Sequence, residues 1–343
     1  CPCGPPCGGT TARPPCFWIA SAISTVPRST PPRTIAGRIC TIVGASPWRC
    51  FNNFDFGANI IGFINGYHLL VWSRFNKAKT GECQIMKVGN MQSLAWHTIN
   101  QSGRIAYNRV AGKTPGIVFL CGHGSDMDGS KALFLESWAK QQGRAFLRFD
   151  YSGHGQSDGA FLETNISDWT RDAIAVLDDL TTGPQILVGS SLGGWIMLNV
   201  ALARPDRIAG LIGIAAAPDF TEDLIWQPLD DDQRDKMKND GQIAMENPYA
   251  DDPVIYPYHL IEDGRQHLRL RAPLAITAPV RLLQGMNDTE VPWQTATRLA
   301  DCLQSDDVVL HFDKTATHRF SEPSQLQLLE TVLVTLLDQL DPK

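Results

Sequence analysis

The chain has 343 residues, 43% hydrophobic and 19% charged, which is an ordinary globular composition with room for one large or two medium domains. Its net charge of −6 is unevenly spread, because residues 91–343 hold 21 basic and 34 acidic residues. An acidic body argues against nucleic acid or an anionic membrane as the main partner, since both require a basic surface.

Residues 1–90 differ from the rest of the chain. They are rich in Pro, Arg, Ser and Gly and show no sustained period of 2 or 3.6, a composition that is unfavourable for a packed core. We expect a non-catalytic extension here, either disordered or artefactual upstream sequence, with the domain starting at Met91. The uncharged run 56–72 is interrupted by Gly and Asn, so no stable membrane span is predicted.

Cysteine usage bears on the cellular compartment. Seven of the nine cysteines precede residue 91, and only Cys121 and Cys302 follow. So few thiols indicate a reducing compartment, and we predict a cytoplasmic protein. The Arg- and Ser-rich, acid-poor start also has features of a transit peptide, so a mitochondrial location is the alternative. The cysteine spacing within residues 1–16 matches no zinc motif, and neither metal nor cofactor is expected.

From about residue 93, short apolar runs alternate with helical patterns. Residues 94–99 and 105–110 are predicted to form an opening hairpin. The strands predicted after it are 116–120, 145–149, 185–188, 208–215, 280–283 and 308–312. Three helices are predicted at 131–142, 192–203 and 326–340. Two more are predicted from apolar faces that run from Trp169 to Leu180 and from Trp293 to Leu303. This alternation predicts an α/β fold, a mostly parallel sheet with helices on both faces.

Residues 217–277 break this rhythm between two predicted strands. They are rich in Asp, Pro and aromatic residues. We predict a small inserted cap over the carboxyl ends of the strands, the edge at which such sheets bind ligands.

The string Gly189-Ser190-Ser191-Leu192-Gly193 fits G-x-S-x-G between an apolar strand and a helix. Glycines two places before and after Ser191 allow neighbouring backbone to approach without a Cβ clash. A strand–turn–helix of this kind exposes a nucleophilic serine, so Ser191 is the predicted nucleophile. The alternative is a Gly-rich turn that merely packs a helix on the sheet.

A serine needs a base and an oriented acid, and this kind of turn is followed in chain order by the acid and then the histidine. His318 lies after the last predicted strand and is the expected base, whereas His311 lies within that strand. Asp288 follows the preceding strand and is the expected acid. Glu290 is its competitor two residues later.

Two backbone N–H groups are expected to form an oxyanion hole. One belongs to Leu192, which follows the nucleophile at the helix N-terminus. The other is assigned to His123 in the loop after strand 116–120, with Gly124 as the fallback donor. The chain-order rule argues against the His123 side chain as the base.

Four strings in this region resemble a known family: KALFLESWAK (131–140), RFDYSGHGQSDG (148–159), GPQILVGSSLGGW (183–195) and RLLQGMNDTEVPW (281–293). They are similar to the mitochondrial α/β-hydrolase-domain acyl-protein thioesterases and their bacterial relatives, from about Pro115 to Leu340. The resemblance implies the α/β-hydrolase fold and serine esterase or thioesterase activity, including depalmitoylation and acyl-glucuronide hydrolysis. It also implies that the family's nucleophile, acid and base are Ser191, Asp288 and His318.

We therefore expect a hydrolase that cleaves a small acyl ester or thioester through an acyl-enzyme on Ser191. A serine peptidase or amidase on the same fold and a catalytically silent binding module are the alternatives. The oligomeric state is left open. Four aromatic residues of the cap are candidates either for lining an acyl pocket or for simple packing: Trp226, Tyr249, Tyr256 and Tyr258.

Overall fold

The computed structural model describes residues 39–41, 49–51, 60–64, 67–71, 94–99, 103–247 and 251–340. The chain divides into two compact units, Cys1–Lys87 and Val88–Lys343. In the first unit, the described residues form two antiparallel strand pairs, β1 (Ile39–Thr41) with β2 (Arg49–Phe51) and β3 (Ile60–Ile64) with β4 (Tyr67–Val71). Beyond these strands, the predictions for residues 1–93 and for Tyr249 lie outside the described residues.

The second unit is built on an eight-stranded sheet. Its strands and those of a separate hairpin are β5 (Ala95–Ile99), β6 (Gly103–Val110), β7 (Lys113–Leu120), β8 (Arg144–Phe149), β9 (Gln185–Ser190), β10 (Ile208–Ile214), β11 (Gln242–Met245), β12 (Val254–Pro257), β13 (Val280–Gly285) and β14 (Val308–Asp313). The spatial order is β14-β13-β10-β9-β7-β8-β6-β5. Only β5–β6 and β6–β8 pair antiparallel, so the sheet is mostly parallel, as predicted.

Seven α-helices of the described residues connect or cover these strands. They are α1 (Ser130–Gln142), α2 (Ile166–Leu180), α3 (Leu192–Ala203), α4 (Asp231–Asp240), α5 (Tyr258–Gly264), α6 (Gln294–Cys302) and α7 (Pro323–Leu340). Local sequence fixes several ends: Asn165 caps α2 by accepting the Asp168 N–H, and Gly143 ends α1 in the left-handed conformation. Trp293 and Leu303, on the predicted apolar face, flank α6 instead of lying within it.

The core is centred on β9, β10 and α3. Every residue of β9 is buried, and so is every residue of α3 from Leu192 to Ala201. A helix that is apolar on all sides needs cover on all sides, and α3 packs against both β9 and α2. This burial fixes the start of α3, and with it the turn that precedes the helix.

An insertion occupies the connection between β10 and β13, where the cap was predicted. It contains a π-helical turn at Thr221–Trp226, then α4, the antiparallel hairpin β11–β12, α5 and a short 3-10 turn at Arg265–His267. Among the described residues, no helix has the length and apolar content needed to cross a bilayer.

Candidate active site

Ser191 occupies the sharp turn between β9 and α3, with φ 53° and ψ −118°. This conformation is strained for a residue with a side chain and is sustained by its surroundings. The Ser191 N–H donates to the Ile214 carbonyl at 2.9 Å, and the Ser191 carbonyl accepts the N–H of Ala217 at 3.0 Å. A Cβ on Gly193 would overlap the Leu120 carbonyl, so the turn can form only with glycine there.

His318 lies in the loop between β14 and α7, and its ring reaches Ser191 from 127 residues away in the chain. Its Nε2 is 2.9 Å from Ser191 Oγ, and its Nδ1 is 2.9 Å from Asp288 Oδ2. In this arrangement the serine O–H donates to Nε2, and Nδ1–H donates to the carboxylate. The His318 side chain is only 13% exposed, which shields both bonds from water.

Asp288 follows β13 and is held in a dense set of hydrogen bonds. Its Oδ1 accepts the N–H groups of Glu290 at 2.9 Å and Val291 at 2.8 Å, and Gln284 Nε2 donates to Oδ2 at 3.0 Å. Burial by itself would raise the pKa of Asp288, but the hydrogen bond and charge of His318 and the two backbone donors lower it below its ordinary value. The carboxylate therefore stays ionised beside the imidazole.

The loop after β7, residues 121–129, is named the oxyanion loop for its predicted role and lies against the serine. A Cβ built on Gly122 would meet the Ser191 Cβ at 3.4 Å. The N–H of Gly124, the fallback donor, is directed to His154 Nε2 at 3.3 Å. The His123 N–H has no acceptor among the described residues, and Leu192 is the first residue of α3, where an N–H lacks an intrahelical acceptor.

The His123 ring belongs to an aromatic cluster. It lies 4.8 Å from Phe161, 5.8 Å from Trp169 and 5.7 Å from Phe220, and it stacks on Tyr256 of β12 at 5.4 Å. Removal from water among these rings, with a smaller contribution from a neighbouring histidine, lowers the pKa of His123 to about 3. The ring is neutral at pH 7 and forms an apolar wall next to the loop, with residues from both the body and the cap.

His154 is a residue whose role sequence reasoning missed. It is buried, its Nε2 accepts the Gly124 N–H, and its Nδ1 lies 3.4 Å from the Ser152 carbonyl. Burial lowers the pKa of His154 to about 4, although the Ser152 carbonyl partly opposes this. The neutral ring therefore ties the oxyanion loop to the loop after β8. Its position after a central strand, in the string RFDYSGHG, was the available signal.

The other sequence candidates lie elsewhere. His311 is a β14 residue paired with Leu283. Glu290 does not occupy the acid position, because its Oε2 lies 3.9 Å from Nε2 of His318 and not at Nδ1. Trp226 and Tyr258 pack on each other at 5.6 Å. Within the described part of the chain, no group of three or more His, Cys, Asp or Glu side chains could hold a metal ion.

Comparison with known proteins gives matches across the second unit. A family model described as serine aminopeptidase, S33, matches residues 113–238. Mitochondrial palmitoyl-protein thioesterase ABHD10 of mouse is 42% identical over 253 residues, covering 72% of this chain and 84% of that protein. The human ABHD10 is 42% identical over 238 residues, covering 69% and 77%.

Two solved structures agree with these matches. Mouse α/β-hydrolase domain-containing protein 10 superposes with a TM-score of 0.69 at 40% identity, covering 73% of this chain and all of that one. A hydrolase from Agrobacterium vitis gives a TM-score of 0.68 at 36% identity, covering 71% and 99%. The chain belongs to the α/β-hydrolase family and is a hydrolase. Within this family, the chain is similar to the ABHD10 proteins. The predicted fold and family are confirmed.

Proposed function

We propose that this protein hydrolyses acyl thioesters and esters, with Ser191 as nucleophile, His318 as base and Asp288 as the acid that orients it. The observation that carries the proposal is the unbroken line of hydrogen bonds, at 2.9 Å each, from Ser191 Oγ through the His318 ring to Asp288. An imidazole placed in this way can take a proton on one side while its other nitrogen is fixed by a carboxylate.

Acyl transfer then proceeds in two steps. Ser191 Oγ attacks the acyl carbonyl while His318 Nε2 takes its proton, and the N–H groups of His123 and Leu192 stabilise the oxyanion. His318 returns the proton to the departing thiol or alcohol, which leaves an acyl-enzyme. Water, deprotonated by the same nitrogen, attacks the acyl-enzyme, and the carboxylic acid departs as Ser191 regains its proton.

Two observations favour a thioester with an extended acyl chain. The ABHD10 relatives are named palmitoyl-protein thioesterases. In addition, the aromatic cluster around His123 supplies an apolar surface beside the oxyanion loop. A serine peptidase is the second candidate, favoured by the description of the matching family model.

The test combines active-site labelling with a substrate profile. A fluorophosphonate probe is expected to label the full chain, and Ser191→Ala is expected to abolish labelling and lower kcat about 10⁴-fold or more. Ser190→Ala removes the adjacent hydroxyl and is the matched control. Thioesters and p-nitrophenyl esters of increasing chain length should be cleaved faster than amino-acid anilides. Persistent labelling of Ser191→Ala would refute the assignment, and a preference for anilides would favour the peptidase.

We also propose a mitochondrial location and a domain division at about residue 90. The relatives named above are mitochondrial proteins, and residues 1–90 hold nine basic and only two acidic residues, a charge pattern typical of transit peptides. The division of the chain at Lys87 supports a catalytic domain that starts near Met91.

A further inference from the structure

Glu290 brings a second carboxylate to the imidazole of His318. Asp288 Oδ2 lies 2.9 Å from Nδ1, whereas Glu290 Oε2 lies 3.9 Å from Nε2. Nε2 is also the nitrogen that is 2.9 Å from Ser191 Oγ. Glu290 therefore lies on the reacting side of the ring, and Asp288 lies on the opposite side.

The turn that carries Asp288 also fixes the backbone of Glu290. Its backbone N–H is bound by Asp288 Oδ1 at 2.9 Å, so the turn that carries the acid also presents Glu290. On the cap side lies Tyr256, whose pKa is raised by burial and, to a smaller extent, by the charge of Glu290. Tyr256 in turn stacks on His123 at 5.4 Å, which places its ring next to the oxyanion loop.

This position has a consequence for the group that leaves. The atom protonated by Nε2–H must come within about 3 Å of that nitrogen. Glu290 Oε2, at 3.9 Å from the same nitrogen, then lies at most about 7 Å from the leaving atom. A charged substituent of the leaving group lies a few ångströms from that atom. At distances of about 5–10 Å an effective dielectric constant between that of protein and that of water gives about a tenfold rate effect per unit charge, allowing for the partial exposure of Glu290.

We propose that Glu290 determines leaving-group specificity: it favours esters and thioesters whose alcohol or thiol carries a positive charge and disfavours those with a carboxylate. This inference rests on the proposed function, because it takes His318 as the group that protonates the leaving atom. Acyl-cysteines flanked by cationic groups belong to the favoured class. Acyl glucuronides, a substrate class that the family resemblance implies, have an anionic leaving group, so this chain is expected to hydrolyse them more slowly than cationic thioesters.

Three octanoyl thioesters test the proposal on the full chain. Their leaving groups are thiocholine, its uncharged isostere 3,3-dimethylbutanethiol, and 3-mercaptopropionate. For each variant, the measured quantity is kcat/KM for the thiocholine ester divided by kcat/KM for the mercaptopropionate ester. This ratio is then compared with that of the wild type, so that the different intrinsic reactivities of the two esters cancel. Glu290→Gln is expected to lower this ratio about 100-fold. Loss of a charge beside the His318 imidazolium changes the rates on all three thioesters alike, and this common change cancels in the ratio.

Further variants, a further substrate and added salt sharpen the test. Glu290→Asp keeps the charge and should keep the preference, whereas Glu290→Lys should reverse it. Glu330→Gln removes the same charge from α7, away from the site, and should leave the ratio unchanged. Moving the carboxylate to the far end of the acyl chain, with 3,3-dimethylbutanethiol as leaving group, should make the Glu290→Gln effect disappear. Added salt should reduce the wild-type ratio and leave that of Glu290→Gln unchanged.

The outcomes separate this inference from the proposed function. An unchanged ratio in Glu290→Gln, with hydrolysis of the uncharged thioester retained, overturns the role of Glu290 and leaves the hydrolase intact. An equal loss on all three thioesters also overturns it, since Glu290 would then act on His318 and not on the leaving group. Absence of hydrolysis in the wild type, together with absence of labelling at Ser191, overturns both proposals.

Discussion

At the scale of single residues, the site depends on which groups are kept charged and which neutral. Asp288 is buried yet ionised, because His318 and two backbone N–H groups compensate for its lost hydration. His123 and His154 are kept neutral by the same burial, since no carboxylate of the described residues offsets their lost hydration. Buried Asp288 therefore stays charged and the two buried histidines stay neutral, because only Asp288 has partners that stabilise its charged form.

The depressed pKa of His154 predicts acid sensitivity of the fold. The unfolded chain binds a proton at this position below about pH 6.5, whereas the folded protein binds one only near pH 4. Between these values acid favours unfolding, so the stabilisation is complete above pH 6.5 and is lost as the pH falls toward 4. The free energy of unfolding should fall by up to about 3 kcal/mol over this window from His154 alone.

Urea unfolding between pH 7 and 4.5 measures this effect. His154→Gln keeps a hydrogen-bonding side chain without the titration, so its stability should fall less steeply with acid than that of the wild type. His259→Gln changes a histidine of the cap helix α5 and is the matched control. Equal slopes for His154→Gln and wild type would contradict the prediction.

At the scale of elements, a polar cluster of Ser167, Asp263 and His267 joins the cap to the first turn of α2. Asp263 Oδ2 accepts the Ser167 N–H at 2.8 Å, and its Oδ1 accepts the Ser167 hydroxyl at 2.6 Å. His267 Nε2 lies 2.7 Å from the same hydroxyl. The three residue types are those of a catalytic triad, but here the carboxylate binds the serine and not the imidazole. We therefore interpret the cluster as an attachment of the cap.

Removing a hydrogen bond from this polar cluster should weaken the attachment of the cap to α2. Ser167→Ala leaves one oxygen of Asp263 without its hydroxyl donor and is expected to cost about 1–2 kcal/mol of stability. Proteolysis within residues 217–277 should be faster, and KM for long-chain thioesters should rise more than kcat falls. Ser137→Ala, which removes an exposed hydroxyl of α1 that accepts from Gln141, is the control. Unchanged proteolysis and KM in Ser167→Ala would show that the cap is held elsewhere.

At the scale of the whole molecule, the two units differ in composition as well as in contacts. The division at Lys87 lies close to the point where basic, cysteine-rich sequence gives way to an acidic body. The pairs that build the candidate site, from β7 to the loop before α7, all lie within the second unit. The chemistry and the proposed targeting signal are thus expected to be separable.

A comparison of the full chain with residues 91–343 tests this separation. Both should cleave the same thioester with similar kcat/KM, but only the full chain should fractionate with mitochondria when expressed in cells. A chain in which the arginines before residue 50 are changed to glutamine is the control for the charge pattern. Loss of activity in residues 91–343, or mitochondrial location of that shorter chain, would contradict the division.

The order of strands and helices, the start of α3 and the position of Ser191 follow from the sequence, because they depend on short-range sterics and periodicity. The glycines around Ser191 and the burial of β9 are encoded within a few residues of each other. The chain-order rule also identified His318 and Asp288 as candidates. No local feature of either loop indicates how close it lies to Ser191.

Only the tertiary structure decided which long-range neighbours meet. The contact of His154 with Gly124, the stacking of Tyr256 on His123 and the approach of Glu290 to Nε2 of His318 each join different loops or elements. The twist of the sheet and the packing of the insertion set such distances to within an ångström, and no periodicity along the chain encodes them. Specificity, unlike the identity of the nucleophile, therefore depends on the folded arrangement.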